Sequence, residues 1–133
     1  MGDTCEKFID GMKDIEEINM EIGLRRFSGM KDIFYSTLEM FYKKILSECN
    51  KMTSFLDARD IKNFMISVHT MKSSLATIGA MRLSETASEL ETSSKNQDFD
   101  SCVRQFPEFK EKLLALHTKL SVIYSGGEIY NET

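Results

Sequence analysis

The chain has 133 residues, of which 41% are hydrophobic and 29% charged, so it is long enough to fold around one core and is not disordered. Its net charge of -4, from 17 basic and 21 acidic residues, gives no reason to expect a nucleic acid or an acidic membrane as the partner. One proline and seven glycines are too few turn residues for an all-β domain.

The cysteines and the N-terminal residues indicate the cellular compartment of the protein. Cys5, Cys49 and Cys102 are far apart, odd in number and without CxxC spacing, which favours reduced thiols in a cytoplasmic protein. No apolar run approaches the ~20 residues of a membrane span. Residues 1–13 are too polar for a signal peptide. We therefore expect a cytoplasmic protein without a membrane segment.

Apolar residues recur at helical spacing along most of the chain. Two weak amphipathic stretches come first, over 3–13 and 15–25. Four stronger helices are predicted after them, over about 30–56, 60–77, 81–95 and 99–124. Pro107 lies inside the last of these and predicts a kink or a restart of the helix.

Long amphipathic helices joined by short breaks pack as an antiparallel bundle. The predicted fold is therefore all-α, a four-helix bundle with up-down-up-down order and one or two short N-terminal helices capping one end. We assign residues 1–14 to a weakly helical extension and residues 15–124 to the bundle domain. Residues 125–133, which include Gly126-Gly127, are predicted to be a flexible tail.

One polar face of the predicted third long helix could carry chemistry. His69, Lys72 and Ser73 follow one another at i, i+3 and i+4, so they share a face beside the apolar stripe. The turn near Gly79 lies about midway between His69 and Glu91, so an antiparallel hairpin places these two side chains at similar height. Lys95, one turn after Glu91, joins the expected cluster.

Each member of this cluster suits phosphoryl transfer. A neutral imidazole is a usable nucleophile near physiological pH. Glu91 would accept a hydrogen bond from one ring N–H of His69 and leave the lone pair of the other nitrogen facing outward. Lys72 would offset charge on phosphoryl oxygens, and Lys95 would do so at longer range or attract an acidic partner. Spacing alone leaves a plainer alternative open, because a lone surface histidine near a lysine is common.

The segment 69–79, His-Thr-Met-Lys-Ser-Ser-Leu-Ala-Thr-Ile-Gly, resembles the signature of histidine-containing phosphotransfer (HPt) domains. In that family the histidine is followed by Lys at +3, usually by Gly at +4, and by Gly at +10, which is Gly79 here. Leu83, Leu90 and Glu91 also match the family's pattern. The resemblance covers roughly residues 15–124.

This resemblance implies that His69 is phosphorylated, accepts the group from an aspartyl phosphate on a receiver domain and passes it to another receiver. It implies that Lys72 interacts with the phosphoryl group and that Glu91, a position that holds Gln in many members, contacts the imidazole. Lys95 matches a position that is often basic. Ser73 replaces the usual Gly at +4, which lets the receiver approach closely, and as a small residue it should still allow docking.

The implied partners are receiver domains of response regulators or of hybrid histidine kinases, bound by a monomer. The expected contact surface is the flank around His69, with Met65, Ala76 and Met81 as candidates. No glycine-rich phosphate loop or metal-ligand motif is present, so we expect a carrier without an ATP site, metal or cofactor of its own. Any Mg²⁺ would belong to the partner receiver.

Two other functions stay open. Ser73 motivates a helical adaptor that binds receiver domains without transferring the group. An enzyme with a separate active site in the bundle has less support, because no acid–base pair or metal set occurs outside the His69 cluster. His117, on the last helix, is interpreted as a structural or surface residue.

Overall fold

The computed structural model describes the backbone of residues 10–132 and the side chains of residues 10–124. Most of the stretch predicted over 3–13 therefore lies outside the described residues. Five helices are delimited: α1 Met20–Arg26, α2 Lys31–Asp57, α3 Ile61–Thr77, α4 Met81–Lys95 and α5 Phe99–Glu132. Residues 10–132 contain no strand, and the all-α prediction is confirmed. No helix within this range is long and apolar enough to cross a membrane.

The four long helices form a closed ring of contacts, in which α2 packs on α3, α3 on α4, α4 on α5, and α5 on α2. Because only three residues join each of them to the next, successive helices run antiparallel. Each contributes a buried apolar stripe to one core. Its largest fully buried side chains include Phe34, Leu38, Ile45, Phe64, Leu75, Leu90, Phe109 and Leu113. The predicted four-helix bundle is thus confirmed.

The three-residue connections between the long helices share one backbone feature, a positive φ angle at the middle residue. Their middle residues, Arg59, Gly79 and Gln97, have positive φ angles of 58°, 86° and 58°. In two of the connections the next residue is an aspartate whose carboxylate caps the following helix. Asp60 accepts a hydrogen bond from the backbone of α3, and Asp98 accepts one from the backbone of α5. These sharp reversals set the antiparallel order.

The second of the two predicted N-terminal stretches forms a helix that begins later than predicted. Residues 15–25 were expected to be helical, but α1 starts at Met20 because the Asn19 side chain accepts a backbone N–H from the first turn and caps the helix. Ile15 and Ile18 precede this cap in turns and are nevertheless buried. Their apolar spacing therefore reflects packing on the bundle and not an α-helix.

The last helix is longer than predicted. It continues through Pro107 without a restart, since Pro107 is exposed and only one backbone hydrogen bond is lost on the solvent side. Its backbone stays helical to Glu132, beyond the end predicted at residue 124, while the flexibility expected of residues 125–133 stays a prediction. Elongating an existing helix is easier than starting one, and each glycine in its path costs only about 1 kcal/mol.

Gly79 fixes the contact between the α3–α4 hairpin and α1. The Asn19 N–H donates to the Gly79 carbonyl oxygen at 2.9 Å. A Cβ on Gly79 would collide with the carbonyl oxygen of Asn19, and the φ of +86° is itself unfavourable for any other residue. Both the backbone angle and the close approach therefore require glycine here.

We predict that Gly79→Ala lowers the free energy of unfolding by about 2 kcal/mol or more, because strain from the left-handed backbone adds to the collision with α1. Gly29→Ala is the matched control, since Gly29 has a φ of +76° but no atom within 4 Å of the added Cβ. It should lose about 1 kcal/mol. Urea unfolding of both variants measures the difference, and equal losses would show that the contact with Asn19 is unimportant.

Candidate functional site

The core stripe of α3 determines where His69 points. Phe64, Val68, Met71 and Leu75 are buried against the other helices. His69 lies on the flank of the same helix, beside this stripe, and 58% of its side chain is exposed. The imidazole therefore stands at the surface of the bundle on a rigid element.

Small residues let α4 approach α3 closely beside this histidine. Ser84 and Ala87 are buried in the α4 face that packs on the bundle. The Ser84 hydroxyl donates to the Lys72 carbonyl oxygen at 3.0 Å, which links the two helices one turn from the site. Glu91 lies two turns further along α4 and faces α3. The register of the α3–α4 hairpin thus places the Glu91 carboxylate level with His69 along the helix axes.

Four charged or ionisable side chains lie close together where His69 on α3 faces Glu91 on α4. His69 Nδ1 lies 2.7 Å from Glu91 Oε2, and Lys72 Nζ donates to Glu91 Oε1 at 2.6 Å. Lys95 Nζ lies 3.9 Å from Glu91 Oε2. The predicted proximity of His69, Lys72, Glu91 and Lys95 is therefore observed, with Glu91 at the centre.

The environment of Glu91 defines the protonation of the cluster. Only 8% of its side chain is exposed. Burial raises the pKa of this carboxyl, but hydrogen bonds from Lys72 and His69 outweigh burial, so the pKa lies below its ordinary value. An ionised carboxylate can only accept, which makes His69 Nδ1 the donor and leaves the Nε2 lone pair free. In the neutral imidazole, that nitrogen has the lone pair that a nucleophile needs.

Ser73 and Gly79 hold different positions relative to this cluster. Ser73 is exposed one turn after His69, and its small side chain leaves the space beside the imidazole open. Gly79 is buried ten residues after His69, about 15 Å along the helix axis, and makes its contacts with α1. Gly79 therefore supports the hairpin and does not touch the imidazole.

A groove between α2 and α3, which was not predicted, borders the histidine face. Its volume is about 310 Å³, and its walls include Met40 and Lys44 of α2 and Thr70 and Ser73 of α3. Ile66, one turn before His69, is also 51% exposed. The sequence held a signal for it, because Met40 and Lys44 follow helical spacing outside the core stripe of α2.

The predicted docking residues lie elsewhere on this face. Met65, Ala76 and Met81 are each partly buried, and none of them lines the groove. Met65 and Ala76 leave the helix on the side of Lys72, towards α4. Docking of a receiver on these residues stays a prediction, and the groove lies on the other side of α3, which faces α2.

The second histidine of the chain is part of the packing between α2 and α5. The His117 ring stacks on Tyr42 with centroids 4.8 Å apart, and Tyr42 in turn stacks on Tyr124 at 5.4 Å. Burial lowers the pKa of His117. Its partly buried position agrees with the structural role expected from the sequence.

A family model for the Hpt domain matches residues 36–119, which include all four members of the cluster. The chain belongs to the Hpt domain family. Hpt domains are helical bundles that serve phosphotransfer in two-component signalling and interact with receiver domains, without a kinase site of their own. No curated protein and no solved structure matches this Hpt chain significantly. Among the side chains that the structure describes, those of residues 10–124, no group of three or more His, Cys, Asp or Glu is arranged to hold a metal ion.

The pairing of Glu91 predicts a specific dependence of stability on pH. Because its folded-state pKa is lowered, the stabilisation is fully present above the unfolded value near 4.5 and is lost as the pH falls through the folded value. The difference in unfolding free energy between the wild type and Glu91→Gln should therefore shift in favour of the variant below about pH 4.5. Urea unfolding from pH 6 to pH 3 measures it.

Glu89→Gln removes the same charge from the exposed side of α4 and controls for the change in net charge. The wild type should lose more stability than Glu91→Gln over this pH range. If the two proteins lose the same amount, Glu91 does not have the lowered pKa that its contacts with Lys72 and His69 imply.

Proposed function

We propose that this Hpt domain is a phosphorelay intermediate in which His69 accepts a phosphoryl group from a receiver-domain aspartyl phosphate and passes it to another receiver. One observation carries the proposal: an exposed imidazole is tied through Nδ1 to a buried, ionised Glu91 at 2.7 Å. The donors and acceptors of the group would be response regulators or hybrid histidine kinases.

The transfer would be a single displacement at phosphorus. The Nε2 lone pair attacks, the N–P bond forms, and the bond to the aspartate oxygen breaks with its electron pair going to the departing carboxylate. The His69 ring becomes more positive while Nδ1 keeps its proton, and the adjacent Glu91 carboxylate stabilises that charge. The next receiver reverses the step when its own aspartate attacks and the electron pair returns to Nε2.

The surroundings of His69 fit a partner that must come close and then leave. The ammonium groups of Lys72 and Lys95 provide positive charge where the phosphoryl oxygens arrive. Ile66 and the groove between α2 and α3 provide apolar surface for the receiver beside the imidazole. A modest interface of this kind suits transient binding by a monomer. Any Mg²⁺ required would be supplied by the receiver.

A cytoplasmic location is part of the proposal. Cys49 and Cys102 are both free and buried, as expected of a protein that folds where thiols stay reduced. The domain would carry the phosphoryl group between partners there without binding ATP itself.

We predict that His69→Gln abolishes acceptance of the phosphoryl group, because Gln has no nucleophilic ring nitrogen. A panel of receiver domains, radiolabelled only on their aspartyl phosphates, is incubated with the wild type and the variant. Label should appear on the wild type in an acid-labile form. His117→Gln is the control and should accept label at the wild-type rate, since His117 lies between α2 and α5.

Two results would contradict the proposal. Label that reaches His69→Gln as fast as the wild type would mean that another residue is the acceptor. Receiver binding that persists in His69→Ala, with no transfer to the wild type from any receiver, would favour the adaptor function that Ser73 suggests.

A further inference from the structure

The contact with Glu91 determines from which side a receiver must approach His69. His69 Nδ1 lies 2.7 Å from Glu91 Oε2, on the side of the ring that faces α4. The two nitrogens of an imidazole direct their outward bonds in widely different directions, so the lone pair of Nε2 is directed away from α4. A phosphoryl group on Nε2 would therefore lie over the other flank of α3, which leads to the groove with α2.

Ser73 lies on this flank, between the imidazole and the groove. With about 3.6 residues per turn, Ser73 is rotated about 40° from His69 around the axis of α3. The rotation is towards Thr70 and away from Lys72, which faces α4. Thr70 and Ser73 both line the groove between α2 and α3. A receiver that reaches both the groove and Nε2 must therefore lie across Ser73.

The side chain of Ser73 is small, but it cannot move out of the way of a receiver. Its Cβ is fixed by the backbone of α3, so rotation about χ1 moves only the hydroxyl group. The helix cannot retreat either, because the carbonyl oxygen of Lys72 accepts a hydrogen bond from Ser84 of α4, and Leu75 is fully buried in the core. A glycine at this position would leave bare backbone, which another chain can approach more closely.

We propose that Ser73 is a specificity-determining residue, which admits receivers with a small residue opposite it and holds receivers with a bulkier residue there away from His69. Phosphoryl transfer requires the attacking nitrogen and the phosphorus to be aligned at close range, and a displacement of about 1 Å can cost about a hundredfold in rate. A poor fit at Ser73 thus discriminates against a receiver without any change in the reacting groups. This inference rests on the proposed function of His69.

Transfer rates from a panel of receivers test this inference in the intact chain. The receivers differ in the residues next to the phosphorylated aspartate, and each carries radiolabel only on its aspartyl phosphate. The rate of labelling is measured for the wild type, Ser73→Gly and Ser73→Thr. Each rate is divided by the rate at which the same protein is labelled by phosphoramidate, a small donor that needs no docking surface. This normalisation removes any change in the reactivity of His69 itself.

We expect Ser73→Gly to raise the normalised rates of the slowest receivers, so that the spread between the fastest and the slowest narrows at least about tenfold. Ser73→Thr adds one methyl group and should widen the spread, because receivers that fit poorly against serine fit worse against threonine. Ser47→Gly is the matched control, since Ser47 is an exposed serine within α2 that does not line the groove. It should leave the spread as in the wild type.

The inference is overturned if Ser73→Gly does not narrow the spread, if Ser73→Thr does not widen it, or if Ser47→Gly narrows it by the same factor as Ser73→Gly. Failure of the proposed function looks different, because neither the wild type nor Ser73→Gly would then accept label from any receiver. Transfer to Ser73→Gly alone, with none to the wild type, would support the obstruction by Ser73 and contradict the relay function of the wild type.

Discussion

The carboxylate of Glu91 is the group on which the site depends, because it is buried and ionised and must therefore be paired. One oxygen accepts from Lys72 and the other from His69, so a single side chain joins two helices and orients the imidazole. The same contact fixes which ring nitrogen holds the proton. Structure and chemistry are thus determined by one interaction.

The hairpin of α3 and α4 makes this interaction possible. Gly79 permits the sharp reversal and the contact with α1, and Ser84 and Ala87 let the helices approach. Ser84 also sets their register through its bond to the Lys72 carbonyl oxygen. A displacement of one turn along either helix would be about 5 Å, which is enough to separate His69 from Glu91. The position of the site is therefore a consequence of how the hairpin packs.

Much of this arrangement could be predicted from the sequence, because helical spacing and the distance of each residue from a turn are local properties. They placed the long helices, and they placed Glu91 level with His69. The start of α1 was missed, since apolar spacing does not reveal that the Asn19 side chain caps the helix. The continuation of α5 past residue 124 was missed because composition gives little weight to the elongation of a formed helix.

It was harder to predict which side chains pair with each other. Spacing put both Lys72 and Lys95 near His69, but only the packed structure shows that Lys72 binds Glu91 closely while Lys95 remains exposed. The groove between α2 and α3 was also missed, because it requires knowing which helices are neighbours. Such features depend on tertiary contacts that no single helix encodes.

The central claim is that Glu91 holds Nδ1 of His69 and leaves Nε2 to carry the phosphoryl group. The most direct measurement is the scalar coupling between ³¹P and the ring nitrogens in ¹⁵N-histidine-labelled, phosphorylated protein, which identifies the nitrogen that is bonded to phosphorus. The contact at 2.7 Å predicts phosphorus on Nε2. Phosphorus on Nδ1 would contradict this account, because that nitrogen could not also donate to Glu91.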